Sequence, residues 1–484
     1  MTGISLILQF VLAGVLCVFA VLSVQLLLLA YARLYRAAPR VRMPLLPDEA
    51  LPRVLVQLPV CDEGPLAVRV AAAAARLDWP ADKLEIQVLD DGRVENHDGL
   101  ARALATVVPH GTNGVSFKVL RRGQREGFKA GNLAFGLTHS DAPYVAILDA
   151  DFVPPTDFLK RMVPALVADQ GLAYVQARWG HANRTKNWLT RVQGILLDAH
   201  FAVEQEGRFR AGLPMSFNGS AGVWNREAID NAGGWKGDTL TEDLDLSMRC
   251  AMKGWRTAML SDVEVPGELP ETAAAWRAQQ ARWTKGHAQT AAKLLPPIWA
   301  STMPLWKKAA MSLQMLQFAF YTLAFFSAAI SLTLMYMGVH YLQSVSLLGL
   351  IVTALGLATS ASYLYLGQKM LGRERLPCIL RSIALALVFP SGLILANTRA
   401  TFEAFFSSHM NFQRTLRPGE RYAGGWRGGP ELVIGVLLPI FAFTQQAWSA
   451  PFFFFAVTGL VSIGVMGLYG SNAPQPVREL PPAE

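Results

Sequence analysis

The sequence predicts an α/β domain with a mostly parallel sheet, inserted between membrane-spanning helices. Three observations predict it. Charge is missing from long stretches near both ends; every aspartate lies between Asp48 and Asp262; and that middle segment alternates short buried-strand patterns with helical ones. Such alternation implies a parallel sheet covered by helices on both faces. Composition agrees: of 484 residues 52% are hydrophobic and 17% charged, with mean hydropathy +0.27, whereas soluble domains run nearer about a quarter charged. The net charge of +8 is too dilute for a nucleic-acid reader and suits a surface lying against anionic lipid. Cys17, Cys61, Cys250 and Cys378 are scattered without C-x-x-C spacing, which argues against a disulfide scaffold, a zinc ribbon or an iron–sulfur cluster.

Residues 1–32 contain no Asp, Glu, Lys or Arg and are followed by Arg33, Arg36, Arg40 and Arg42. A bilayer needs about 20 apolar residues, and a signal peptide's apolar core is only roughly 7–15, so this reads as a span. Its basic flank places the following segment in the cytoplasm. Residues 33–308 form the soluble segment, long enough for one substantial core. The dry regions 309–371 and 431–471 each hold a hairpin of two spans, turning near 338–343 and 445–451. Residues 372–430 carry Arg373, Arg375, Arg381, Arg414, Arg417, Arg421 and Arg427 and belong on the cytoplasmic side, as does the tail 472–484. Within that region 382–398 is short, apolar and interrupted by Pro390, and reads as a kinked helix at the cytoplasmic interface. Five spans result.

In the soluble segment, Val54–Val60, 85–89, Ser116–Leu120 and 144–148 read as strands, with helices over 65–77 and 128–138. Ligands of such sheets bind at the carboxyl ends of strands. Three of these ends are acidic: Asp62 after the first, Asp90 and Asp91 after the second, Asp149 and Asp151 after the fourth. Each aspartate alone serves equally well as a turn or cap residue. Converging on one edge, they need a counterion or a cationic ligand.

Asp149 and Asp151 offer the oxygen ligands that suit Mg²⁺ or Mn²⁺ bridging to a diphosphate. Lys129 opens a helix, where both its charge and the helix terminus favour phosphate. Thr241, Glu242 and Asp243 precede an amphipathic stretch, 244–253; they fit a helix cap with a first-turn acid pair, a general base, or both. In Q-x-x-R-W, Gln279, Arg282 and Trp283 share one helical face, suited to a pyrophosphate and a sugar ring, or to a buried arginine against a packed indole.

D-D-G, D-x-D, T-E-D and Q-x-x-R-W, in this order and spacing, resemble the family 2 inverting glycosyltransferases, particularly membrane polysaccharide synthases such as plant cellulose-synthase-like A and C proteins and bacterial cellulose synthase. Cys61-Asp62-Glu63, Trp79-Pro80, 86–92, 144–154, 175–179 and 217–224 carry the likeness densely over 53–293. Phe412, Gln413, Arg414 and Thr415 resemble the gating-loop motif, with Leu416 where plant-like relatives tend to have proline. The resemblance implies a GT-A-type nucleotide-diphospho-sugar transferase domain. It assigns Asp62, Asp90, Asp91, Lys129, Asp149, Gln279 and Arg282 to the nucleotide sugar, and Asp149 and Asp151 to Mg²⁺ or Mn²⁺. Asp243 becomes the base with Glu242 its neighbour, and Phe217, Asn218, Gly219 and Trp283 take the acceptor.

The leading expectation is a multi-pass enzyme of the inner (plasma) membrane with a cytoplasmic catalytic domain. It extends a β-linked glucan or mannan from a nucleotide sugar, UDP-glucose before GDP-mannose, and exports it. Its partners are donor, glycan acceptor and lipid bilayer, with no nucleic acid; oligomeric state is left open. A lipid glucosyltransferase of ceramide type, or a non-catalytic nucleotide-sugar-binding scaffold, are the other readings. The reaction product distinguishes the three.

Overall fold

The computed structural model describes residues 3–107, 115–373, 376–406, 429–444 and 459–465. The chain opens with α1 (Gly3–Tyr35), uncharged until Arg33 in its last turn. There follow β1 (Val54–Val60), α2 (Pro65–Ala75), β2 (Leu84–Asp90), α3 (Val94–Val107), β3 (Ser116–Leu120), α4 (Phe128–Leu137) and β4 (Tyr144–Ile147). The second half of the domain runs through α5 (Phe158–Ala168), β5 (Leu172–His181), α6 (Trp188–Ala199), α7 (Glu206–Ala211), β6 (Gly222–Asn225), α8 (Arg226–Asn231), α9 (Glu242–Met252) and β7 (Arg256–Gly267). Then come α10 (Ala273–Ala300), α11 (Leu305–Met315), α12 (Ala319–Tyr336), α13 (Gln343–Leu371), α14 (Leu376–Val388), α15 (Ile394–Phe406) and α16 (Gly429–Thr444).

The seven strands form one sheet in the order β3-β2-β1-β4-β6-β5-β7. All pairs are parallel except those of β6, which runs antiparallel to both β4 and β5. β1 is buried along its whole length because both faces are covered. Alternate side chains go to opposite faces: Val54, Val56 and Leu58 pack with Val70 of α2 and Met162 of α5, while Leu55 packs with Leu133 of α4 and Trp224 of β6. The four strands expected from the sequence are all present; β5, β6 and β7 complete the sheet. Placing β6 beside β4 brings the segment before it against the end of β4. There the Ala221 amide donates to Ile147 O at 2.9 Å and the Asp149 amide to Ser220 Oγ at 2.9 Å.

Among the described residues, four helices are long and apolar enough to cross a membrane: Gly3–Tyr35, Leu305–Tyr336, Gln343–Leu371 and Pro377–Phe406. In the first three, 17% of the most apolar window is buried within the protein, as expected for lipid-facing helices; in the fourth the share is 44%. That fourth helix departs from the short element expected over 382–398. It bends through a 3₁₀ stretch, Phe389–Leu393, with Pro390 at its first turn, where a missing N–H is tolerated, so the helix continues into α15. Its burial comes from α6: Ile379, Ile383 and Phe389 pack with Leu189, Val192 and Ile195. α13 is anchored to α6, since Gln368 Nε2 donates to Asp198 at 3.1 Å; just beyond α13, Arg373 reaches Glu264 of β7 at 2.9 Å. The motif Phe412–Thr415 with Leu416 lies outside the described residues, as does much of the last expected hairpin, 431–471.

Candidate active site

A cavity of about 540 Å³ opens at the carboxyl edge of the sheet. Asp149 and Asp151 follow β4 and enter it; α9 presents Glu242 and Asp243 from its first turn; α4 supplies Lys129. Lys129 Nζ lies 2.6 Å from Asp149 Oδ1 and 3.7 Å from Glu242 Oε1, and donates to Gly219 O at 2.9 Å. Burial alone lowers a lysine's pKa, but these carboxylates hold Lys129 well above its ordinary value. Glu242 is raised chiefly by burial. Asp243 is pushed up to about 7, first by burial and then by the charge of Glu242. Its Oδ1 accepts the Leu244 amide at 2.8 Å.

Gly219 is required at its place twice over. Its φ is +82°, and a Cβ there would stand 3.1 Å from Asp243 Oδ2. Among the described residues, the non-glycines with positive φ are Asp62, Phe128 and Ala221, in the turn after β1, at the start of α4 and just before β6. Such conformations cost of order 1–3 kcal/mol and concentrate at functional sites.

The sequence-expected residues divide into those the cavity gathers and those it does not. Asp91, Lys129, Asp149, Asp151, Glu242, Asp243, Gln279, Arg282 and Trp283 all line it. Phe217 also reaches it but is 1% exposed, its ring set against Tyr174 and Trp224. It shapes the wall as a core residue. Asp62 and Asp90 stand behind the lining. Asp62 Oδ1 accepts from the Arg93 amide and from Asn96. Asp90 accepts from the Gly92 amide at 2.8 Å and meets His97 Nδ1 at 2.7 Å and Arg121 at 3.0 Å. Asp91 is held by both nitrogens of an Arg122 fork, at 2.8 and 2.6 Å. The counterions for this acidic pair thus come from the end of β3.

The arrangement also contains residues that sequence reasoning missed. Between α6 and α7 the helix widens into a π turn, His200–Gln205, a feature common at functional sites. Gln205 Nε2 donates to Ser216 O and to Asn218 Oδ1, both at 2.7 Å, so the Asn218 amide must point its nitrogen at His200 Nε2, 2.9 Å away. In the neutral ring the His200 proton therefore sits on Nδ1, facing Glu204 at 3.0 Å. Glu204 also accepts from Gln317 at 2.8 Å. Burial opposes its ionisation, yet the His200 hydrogen bond and the Arg208 charge hold its pKa down at about 2. The available signal was an i, i+4 His/Glu pair inside an otherwise apolar run; the π turn itself leaves no mark in sequence. His200, Glu204, Gln314, Gln317 and Tyr321 carry the cavity wall from the carboxylates to α12.

Among the described residues no group of three or more His, Cys, Asp or Glu side chains could hold a metal. The carboxylate oxygens of Asp149 and Asp151 suit a hard divalent ion, which they would hold together with diphosphate oxygens and water. They do not make a site held by protein alone.

A mostly parallel sheet with a D-x-D pair after an inner strand, faced by an acidic helix start, defines the class: a GT-A-type nucleotide-diphospho-sugar transferase fold. The mannosyltransferase PcManGT from Pyrobaculum calidifontis, solved with GDP-Man and Mn²⁺, shares the fold at TM-score 0.54 and 21% identity, over 82% of this chain and 100% of that one. The model of "Glycosyl transferase family 2" matches residues 56–229, and that of "Glycosyl transferase family group 2" residues 144–366. Glucomannan 4-beta-mannosyltransferase 1 of Oryza sativa subsp. japonica is 41% identical over 269 residues, 55% of this chain and 51% of that protein. Probable glucomannan 4-beta-mannosyltransferase 11 of Arabidopsis thaliana is 40% identical over 266 residues, 54% of this chain and 59% of its own length. The chain spans about half the length of the curated relatives it matches. Residues 56–366 thus carry matches to two glycosyl transferase family 2 domain models.

Proposed function

We propose that this chain is a membrane-embedded, inverting hexosyltransferase that extends a β-linked mannan or glucomannan from GDP-mannose. The observation that carries the reading is the single cavity in which Asp243, Lys129, Asp149 and Asp151 meet and which continues to α12. The sequence alone leaned to UDP-glucose; the relatives, named as 4-beta-mannosyltransferases, support mannose as the transferred sugar.

The acceptor hydroxyl attacks the anomeric carbon from the face opposite the nucleotide. A new C–O bond forms as the bond to the diphosphate breaks, and its electron pair leaves on the diphosphate oxygen. Asp243 takes the hydroxyl proton; a carboxylate raised to about 7 is matched to that task near neutral pH. Lys129 neutralises Asp149 and Glu242, so that an anionic donor can approach. Asp149 and Asp151 would hold Mg²⁺ or Mn²⁺, whose chemistry is charge stabilisation of the leaving diphosphate. From α10, Gln279 and Arg282 face the diphosphate and Trp283 the acceptor sugar. Asn218, its amide oriented through His200 and Gln205, presents a fixed donor and acceptor set to the acceptor. Asp91 lies at the nucleoside end; Asp62 and Asp90 shape that end from behind.

The four long apolar helices among the described residues support a bilayer setting. The basic residues after α1 favour a cytoplasmic catalytic domain in the plasma membrane, with the glycan leaving along the cavity wall toward α12. The test is purified full chain offered GDP-mannose or UDP-glucose separately, with released nucleotide and product length measured. GDP release with a lengthening glycan, stopped reversibly by EDTA, is expected. Preference for UDP-glucose would replace the donor, a one-sugar lipid product would replace the acceptor, and no turnover with either donor would overturn the reading.

A further inference from the structure

A second cavity, of about 570 Å³, lies at the opposite edge of the sheet. It sits where β5 and β7 begin, beside the irregular segment that leaves α1 and the first turn of α11. Its floor is apolar, formed by Ala165, Leu172, Phe209 and Ala258. Its rim is cationic: Arg40 and Arg42 from the segment after α1, Lys307 from α11, and Arg256. Asp169, in the same lining, pairs with Arg256 at 2.6 Å, so those two charges cancel. No ion pair engages Arg40, Arg42 or Lys307 among the described residues; Lys307 lies over the Trp306 ring at 5.4 Å.

The surroundings fix the level of this cavity relative to a membrane. α1 ends and α11 begins on the same side of any bilayer they cross, because the soluble domain lies between them. Tyr35, Trp299, Leu305 and Trp306 beside it are all more than half exposed. Aromatic and aliphatic side chains left bare next to basic ones mark the headgroup region of a membrane. A pocket there, apolar inside and cationic at the rim, matches a molecule with both properties.

We propose that this cavity binds one anionic phospholipid, its phosphate against Arg40, Arg42 and Lys307 and the start of an acyl chain along Leu172 and Phe209. The inference rests on the membrane placement argued above. A basic residue near an anionic lipid surface contributes about 1 kcal/mol, or about fivefold in affinity. Removing all three charges should therefore weaken binding well beyond tenfold.

The experiment uses purified full chain in uncharged detergent. The probes are dihexanoyl phosphatidylglycerol, dihexanoyl phosphatidylcholine and inorganic phosphate, with binding read by native mass spectrometry and thermal shift. The triple variant R40Q/R42Q/K307Q is compared with wild type and with the charge-keeping R40K/R42K/K307R. Expected is phosphatidylglycerol binding that is lost in the first variant and kept in the second, with no comparable binding of phosphatidylcholine or phosphate. Equal phosphatidylglycerol binding by wild type and R40Q/R42Q/K307Q overturns the proposal. Phosphate binding as tight as the lipid's overturns it in favour of a free-anion site. Flotation of wild type with neutral phosphatidylcholine vesicles separates the two readings: a chain that floats but shows no charge-dependent lipid binding fails this inference alone.

Discussion

Asp90 and Asp91 stand at the end of β2, and Asp149, Asp151, Glu242 and Asp243 gather at the end of β4, yet the two groups are in opposite electrostatic conditions. At β2 each carboxylate has its own cation, Arg121 for Asp90 and the Arg122 fork for Asp91, with His97 a further hydrogen-bond partner of Asp90. At β4, Lys129 serves Asp149 and Glu242 together, and Asp243 feels it only at longer range. Carboxylates that are matched one to one stiffen a fold. Carboxylates that share a cation stay close enough for one to raise a buried neighbour's pKa, as Glu242 does for Asp243, which leaves a proton acceptor. Both groups are acidic strand ends in the sequence; their surroundings make one a frame and the other a reaction site.

The largest effect that would break this comparison is at Asp243. Asp243→Asn keeps size and removes the charge, and turnover should fall by about 10²–10⁴-fold, the usual contribution of a general base. Donor binding measured by titration should survive. Near-normal turnover would move the base to Glu242.

Next comes Lys129→Met. Its charge lowers the Asp243 pKa, so its loss should raise that pKa further. In wild type kcat/KM should fall as pH drops through about 7, because Asp243 accepts a proton only when ionised. In Lys129→Met the same limb should lie at higher pH, on a much reduced maximum. A limb that stays in place would separate Lys129 from the base.

Arg122→Gln tests the frame. Removing one partner of a buried pair leaves a charge uncompensated, and a loss of about 3–5 kcal/mol is expected, read as a lower midpoint of denaturation. Adding Asp91→Asn should restore part of it, because the orphaned charge goes too.

The smallest effect expected is at Glu204. Its pKa is held at about 2 in the folded protein, against 4.5 ordinarily. A depressed carboxylate contributes stability that is complete above the ordinary value and is lost as pH falls from 4.5 through about 2. Unfolding midpoints followed from pH 6 to pH 3, a range set by about these values, should decline more steeply in wild type than in Glu204→Gln.

Much of the frame was legible from residue patterns. β1, β2 and β4 announce themselves because buried strands are largely apolar, and their ends announce themselves because aspartates follow closely. T-E-D at the start of α9 was legible as an acidic first turn, and Gln279, Arg282 and Trp283 as one helical face. The helix through Pro390 is longer than its sequence suggests, because proline at the first turn of a 3₁₀ stretch bends a helix that packing against α6 sustains.

The sequence by itself determined which segments avoid water, which strands carry acid at their ends, and which helix starts bear a candidate base, since each follows from residues near one another in the chain. Tertiary structure alone decided that Arg121 and Arg122 close the β2 acids from 31 residues away. It also decided that β6 runs back between β4 and β5 to set Gly219 against Asp243, and that a π turn fixes the Asn218 amide. Those choices belong to packing, because a carboxylate's pKa and role depend on which cation and how much water the fold brings to it, and neither is written beside it in the chain.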